Sequence, residues 1–213
     1  MKSNKAQFSP RKRTYMERRQ DQIEVRQRFL IVCEGRKTEP QYFEGFRAPG
    51  LVVKVEGVGV SALRLVDEAI KKRADGEFDQ VWCVFDKDDF SIESFEKAIQ
   101  RAAENKMHVA YSNQAFELWY VLHFEYLNTA IDRNAYIEKL THYLGFDYRK
   151  NDPKIYKFLR CKIEIAIRNA ERLMQEYHPS RPGKDDPSTT VYQLVISLRE
   201  QTRPLSTFGR KTN

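Results

Sequence analysis

The stretch RFLIVCEG, residues 28–35, decides the fold. The five residues after Arg28 form a continuous apolar run with β-branched members, which is typical of a strand buried on both faces of a parallel sheet. Glu34 and Gly35 follow the run directly, so a carboxylate is expected at the carboxyl end of the strand. This stretch therefore predicts both a buried strand and a polar position where that strand ends.

The same pattern recurs downstream. Three further strands are predicted, over residues 51–56, 79–85 and 107–111. Apolar residues at helical spacing predict helices between and after them, over residues 38–44 and 62–74, then after a cap at Ser91 with an apolar face from Phe95 to Ala103, and over residues 115–124. Strands alternating with helices indicate an α/β fold with a mainly parallel four-stranded sheet and flanking helices, which we expect to span residues 28–125.

The rest of the chain is expected to form two flanking regions. Residues 1–28 hold nine Lys or Arg and three acids, and residues 199–213 hold four Lys or Arg and one acid. We expect a basic N-terminal arm over residues 1–27, which includes Lys12 and Arg13, and a helical C-terminal region with a basic tail over residues 126–213. Basic arms often contact nucleic acid, although a solvated tail has the same composition.

The composition excludes several classes of protein. Hydrophobic residues make up 41% of the chain, which suits a folded domain. No apolar run approaches the ~18 to 20 residues of a membrane span, and the first residues lack the apolar core of a secretory signal. Three cysteines without a C-x-x-C pair argue against a disulfide framework or a cysteine zinc site. We therefore expect a cytoplasmic protein with no membrane partner.

Acidic residues follow two of the predicted strands. Glu34 ends the first strand, and Asp86 and Asp88 end the third. The carboxyl ends of parallel strands form sites at one edge of a sheet, and residues two apart in a strand share a face. Carboxylates gathered there repel one another unless a cation neutralises them, and their oxygens suit Mg²⁺ or Mn²⁺. Acids after a strand are also common as helix caps or solvated turn residues.

This arrangement favours phosphodiester chemistry. Asp86 and Asp88 would hold the metal, with Glu34 as a further ligand or as the base that activates the attacking water. Gly35 would leave space for the phosphate backbone of a substrate.

Several neighbouring residues have two interpretations each. Glu117 is either a fourth acid for a second metal or a favourable charge at a helix N-terminus. Asn113 either orients phosphate or caps the following helix. Arg36 and Lys37 either clamp phosphate or serve as surface charge. His123 lies about 120° around an ideal helix from Glu117, so packing is favoured over shared metal ligation.

Taken together, the motifs resemble those of a known family. Glu34-Gly35 and Asp86-Lys87-Asp88 are similar to the pattern of a Toprim domain, over about residues 28–125. A closer resemblance is to the RloB-like family, which is bacterial, Toprim-like and regarded as a source of phage-defence effectors, often encoded beside restriction-modification or ATPase genes. The stretches that carry it are IVCEGRKTEPQYF (31–43), VWCVFDKDD (81–89), YSNQAFELWYVLHF (111–124) and DPSTTVYQL (186–194).

The resemblance implies a Rossmann-like fold and Mg²⁺-dependent chemistry on nucleic acid, as in nucleases, primases and topoisomerases. The sequence shows no sign of the extra domain of a topoisomerase or the zinc module of a primase, so we expect an endonuclease acting on RNA, such as tRNA, or on DNA. Two alternatives stay open, a non-catalytic partner subunit of a defence ATPase and a housekeeping ribonuclease that matures RNA. Exposed apolar helices would also allow a homo-oligomer.

Overall fold

The computed structural model describes residues 27–49, 51–87, 91–150 and 152–202. Three of the candidate site residues lie outside this part of the chain, namely Lys12, Arg13 and Asp88.

The described chain alternates strands with helices. The strands are β1 (Arg28–Cys33), β2 (Val52–Gly57), β3 (Gln80–Asp86), β4 (His108–Asn113) and the short β5 (Ser188–Thr189). The helices are α1 (Thr38–Phe43), α2 (Ala62–Ala74), α3 (Ile92–Glu104), α4 (Glu117–Val121), α5 (Arg133–Leu144), α6 (Ile155–Leu159), α7 (Ile163–Gln175) and α8 (Val191–Thr202). A single 3₁₀ turn, Arg160–Lys162, joins α6 to α7.

The strands form one mixed sheet in the order β2-β1-β3-β4-β5. Strands β1 to β4 are parallel, and β5 runs antiparallel to β4. The predicted α/β fold with a mainly parallel sheet is therefore confirmed.

The predicted count of four strands is wrong, because β5 adds a fifth. Its two residues pair with the end of β4, Thr189 with Ser112 and Ser188 with Asn113. A strand of two residues, Ser188 and Thr189, is too short to show the alternation of apolar and polar residues by which a strand is predicted. Oγ1 of Thr189 also accepts a hydrogen bond from the N–H of Val191 at the start of α8, at 3.3 Å, so Thr189 resembles a helix cap in sequence.

Successive side chains of the central strands point to opposite faces of the sheet, so the hydrophobic core has two layers. Phe29, Ile31 and Cys33 of β1 face one side of the sheet, where they pack with the helices that follow β4. Leu30 and Val32 face the other side and pack against α2 and α3. Both sides of the central strands are therefore covered, which explains why β1 is apolar throughout.

The helices after residue 125 complete the first of these layers. Leu140, Ala166 and Leu194 are fully or almost fully buried in the same cluster as Ile31 and Trp119. Residues on the two sides of position 125 thus share one hydrophobic core.

The helix expected over residues 115–124 is shorter than predicted, since α4 covers only Glu117–Val121. Every residue from Ala115 to His123 is buried, so the apolar pattern carries no information about where the helix ends. Asn113 does not cap this helix. It is the last residue of β4, and its Nδ2 donates to the carbonyl oxygen of Asp185 at 2.7 Å.

In the part of the chain that the structure describes, no helix combines the length and the apolar character needed to cross a bilayer.

Candidate active site

Glu34 and Asp86 meet at the carboxyl edge of the sheet. They follow or end neighbouring parallel strands, β1 and β3, and the N–H of Glu34 extends the pairing by donating to the carbonyl oxygen of Val84 at 2.8 Å. Oε2 of Glu34 then accepts a hydrogen bond from the N–H of Asp86 at 3.2 Å. The structure therefore brings together two of the three acids that the strand-end pattern singled out.

The carboxylate of Asp86 lies among other acids. Its Oδ2 accepts a hydrogen bond from the N–H of Phe116 at 3.2 Å. Burial raises the pKa of Asp86 well above its usual range, and the nearby charges of Glu39, Glu117 and Glu34 raise it further. These four acids, Glu34, Glu39, Asp86 and Glu117, are called the carboxylate cluster below.

Glu39 is a member that the sequence reasoning missed. It is buried in α1, and its Oε1 accepts a hydrogen bond from the N–H of Gly35 at 3.3 Å. Burial raises the pKa of Glu39, as does the charge of Glu117. An acid in the first turn of a helix is usually a favourable exposed charge, so the sequence pattern carried no sign that this one turns inward.

The position of Glu39 gives a reason for a glycine at residue 35 that differs from the one expected from the sequence. A Cβ on residue 35 would collide with the carboxylate of Glu39. The space beside Gly35 is therefore filled by an acid of the carboxylate cluster, whereas the sequence suggested space for a substrate phosphate.

Glu117 is held by two partners. It is only 3% exposed at the start of α4. Its Oε1 accepts a hydrogen bond from the hydroxyl of Tyr148 at 3.1 Å and lies 3.3 Å from Nζ of Lys150. Lys150 also lowers the pKa of Glu39, so one lysine partly neutralises two buried acids.

Glu34 is partly buried, and its neighbours act on its pKa in opposite directions. Burial raises its pKa and the charge of Glu39 adds to that increase, while the hydrogen bond from the N–H of Asp86 and the charge of Arg133 lower it. A raised pKa at a partly open edge is the direction that favours a carboxylate as a general base.

The donor set of the carboxylate cluster fits Mg²⁺ or Mn²⁺ in its chemistry. Carboxylate oxygens are hard ligands, and Mg²⁺ usually takes only one or two of them and keeps several waters. Within the described ranges, no three His, Cys, Asp or Glu side chains form a group that could hold a metal ion. A metal here would bind through one or two carboxylates, such as that of Asp86.

The remaining candidates occupy different positions. Arg36 and Lys37 are exposed on the turn after β1. Gly57 and Gly59 pack against this turn, because a Cβ on either would collide with Gly35 or Arg36. The two glycines thus allow close packing behind the carboxylate cluster.

His123 packs in the core, as its position on the helix predicted. It is completely buried, and its Nδ1 lies 2.9 Å from the carbonyl oxygen of Trp119. Burial lowers the pKa of His123 to about 4, so the ring is neutral at physiological pH.

A protein-family model described as RloB-like protein matches residues 29–198. The chain belongs to the RloB-like family. No curated protein and no solved structure matches it. The matched range of this RloB-like chain includes all four acids of the carboxylate cluster.

Proposed function

We propose that this RloB-like protein is a metal-dependent endonuclease of the Toprim type, which hydrolyses phosphodiester bonds of RNA or DNA. The convergence of Glu34, Glu39, Asp86 and Glu117 at the carboxyl edge of the sheet carries the proposal. Burying acids that raise one another's pKa destabilises a fold, so their presence together in this chain is best explained by a function that needs them.

Each residue has a distinct role in this proposal. Asp86 would hold Mg²⁺, with Asp88, which lies outside the described residues, as a further ligand. When bound, the metal would supply a positive charge beside the phosphate and Lewis-acid chemistry. Glu34 accepts the proton of the attacking water, because its carboxylate is only partly buried and its pKa is raised.

Glu39 and Glu117 have supporting roles. Their charges act on Asp86 and keep a cation at this edge favourable. Tyr148 and Lys150 hold Glu117 in place. Glu117 would hold a second metal if the reaction uses two.

The resemblance to the RloB-like family supports a proposed biological setting. We propose that the nuclease acts in bacterial defence against phage, alone or with a partner ATPase, in the cytoplasm. The basic arm of residues 1–27, with Lys12 and Arg13, would attract the polyanionic substrate.

The experiment compares purified wild-type protein with Asp86→Asn on tRNA, other RNA and plasmid DNA, each with Mg²⁺, Mn²⁺ or EDTA. We expect wild type to cut at least one of these substrates only with metal, and Asp86→Asn to lose cutting while it keeps a native circular dichroism spectrum. Glu171→Gln is the matched control, because Glu171 is an exposed acid on α7.

Metal-independent cutting, or full activity of Asp86→Asn, would contradict the proposal. If no substrate is cut while the protein binds an ATPase, the non-catalytic subunit is the better description.

A further inference from the structure

We infer that a basic cleft beside the carboxylate cluster binds the phosphate backbone of the nucleic-acid strand that is to be cut. The cleft is bounded by Lys87, Arg133 and Lys184 and has a volume of about 460 Å³. The inference rests on the proposed function and extends it to the residues that hold the substrate.

The cleft is assembled from segments far apart in sequence. Lys87 follows β3, Arg133 begins α5, and Lys184 comes from the loop before β5. Asn113 and Gln114, at the end of β4, add two side-chain amides to its wall, and Asp186 is its one acid in the described part of the chain. Among the described lining residues, three are cationic and one is acidic, whereas residues 29–198 as a whole carry a net charge of −2.

The lining indicates what the cleft recognises. None of the described residues that line it is aromatic, whereas sites that stack bases use aromatic rings. Lysine, arginine and amide side chains instead provide the donors that contact phosphate and sugar oxygens. The described lining therefore suits the sugar–phosphate backbone of a nucleic-acid strand.

The cleft adjoins the reacting edge of the sheet. Lys87 directly follows Asp86, the last residue of β3, and its N–H donates to the carbonyl oxygen of Ser112 in β4 at 2.8 Å. Arg133 lines the cleft, and its charge also lowers the pKa of Glu34. A nucleic-acid strand bound in the cleft would thus have a neighbouring phosphate beside the carboxylate cluster.

The loop that carries Lys184 is held by Asp185, which is 8% exposed. Oδ2 of Asp185 accepts hydrogen bonds from Oγ of Ser180 at 2.9 Å and from the N–H of Arg181 at 2.6 Å. Its carbonyl oxygen accepts from Nδ2 of Asn113 at 2.7 Å. These bonds tie the loop to itself and to the end of β4.

A glycine brings the same loop close to α3. Gly183 is buried, and a Cβ there would lie 2.6 Å from Cγ2 of Ile92. Lys184 therefore projects from a fixed backbone, which lowers the entropy lost when it binds a phosphate.

The test measures binding by fluorescence anisotropy of fluorescein-labelled single-stranded RNA and of DNA with the same sequence, in EDTA so that cutting does not interfere. Neutralising one phosphate of a single strand contributes a salt slope of about 0.7, which corresponds to about fivefold in affinity at ~0.1 M salt. We expect Lys87→Ala and Lys184→Ala each to weaken binding about fivefold and to lower the salt slope. Lys97→Ala is the control, because Lys97 is exposed on α3 and does not line the cleft.

The outcomes separate this inference from the proposed nuclease function. Binding that depends on Lys87 and Lys184 supports the cleft even if the wild type cuts nothing, which would overturn only the hydrolysis. Cutting by the wild type with unchanged binding by both variants overturns the cleft and leaves the nuclease. Wild-type protein that neither binds nor cuts nucleic acid overturns both.

Discussion

Oε2 of Glu34 accepts a hydrogen bond from the backbone N–H of Asp86 at 3.2 Å, across the ends of two neighbouring parallel strands. This bond fixes the two acids relative to each other, because the acceptor is a side chain and the donor belongs to the sheet itself. Because the hydrogen bond is accepted by a side-chain oxygen, substitutions of Glu34 can remove its charge with or without the hydrogen bond.

Replacing Glu34 by Gln should remove cutting and preserve the fold. An amide oxygen can still accept the hydrogen bond from Asp86, but an amide cannot take a proton from water. We expect the rate to fall by about 100- to 10,000-fold, the usual contribution of a general base. Single-turnover cleavage measures the rate and thermal unfolding measures Tm.

Glu34→Ala separates the two effects. It loses the hydrogen bond as well, so we expect the same loss of cutting together with a lower Tm. Retention of more than about a tenth of the activity in Glu34→Gln would exclude the general-base role.

Replacing Asp86 by Asn should stabilise the protein in EDTA. The pKa of Asp86 is raised by burial and by neighbouring acids, so its charged form is disfavoured in the folded state. An acid with a raised pKa contributes stability while it is protonated and loses it as pH rises through the folded pKa. Asp86→Asn should therefore exceed wild type in Tm at pH 8 and approach it in acid.

The measurement is thermal unfolding of both proteins from pH 4 to pH 8, where each kcal/mol corresponds to about 2–4 °C. Adding Mg²⁺ should raise the Tm of wild type and have less effect on Asp86→Asn, because ligands stabilise the state that binds them. An Asp86→Asn protein that is less stable than wild type at pH 8 in EDTA would show that repulsion in the cluster is small.

Removing the hydroxyl of Tyr148 should loosen Glu117. Tyr148→Phe deletes the hydrogen bond to Oε1 of Glu117, and a bond to a charged group is worth about 1.5–3 kcal/mol. We expect a lower free energy of unfolding by urea denaturation and slower cutting with intact RNA binding. Tyr192→Phe is the control, because among the described residues the hydroxyl of Tyr192 accepts a hydrogen bond from the exposed Gln193. Equal stability of the two variants would count against this role.

His123 should make the fold sensitive to acid. Its pKa is lowered to about 4 by burial, against about 6.5 in an unfolded chain. A base with a lowered pKa gives stability that is complete above pH 6.5 and is lost as pH falls toward 4, by up to about 1.4 kcal/mol for each pH unit.

The measurement is urea unfolding of wild type and His123→Asn at pH 7 and pH 5. The amide of Asn can donate to the carbonyl of Trp119 in place of Nδ1, and it does not titrate. We expect a smaller loss of stability between the two pH values in His123→Asn. The same loss in both proteins would assign the acid sensitivity to other groups.

The buried central strands could be predicted from the sequence, because a strand that is covered on both faces is apolar at every position. The runs that end at Cys33 and Phe85 show this directly, and both form central strands. Strand β5 could not be predicted, since pairing of Ser188 and Thr189 with β4 depends on where the intervening helices place them.

Some residues of the candidate site could likewise be predicted from the sequence, and others could not. The positions of Glu34 and Asp86 at strand ends determined that they would meet, because parallel strands bring their carboxyl ends to one edge. Glu39 and the three cations of the basic cleft carry no comparable signal. Whether a charged residue on a helix or loop faces solvent or the site depends on the packing of whole elements.

By itself, the sequence determined the α/β class, the central strands and the acids that end them, because hydrophobic periodicity and strand direction are local properties of the chain. Only the tertiary structure decided that Glu39 turns inward against Gly35 and that Lys87, Arg133 and Lys184 share one cleft. Those juxtapositions join residues from separate elements, and they arise when burial of the two apolar layers brings the elements together.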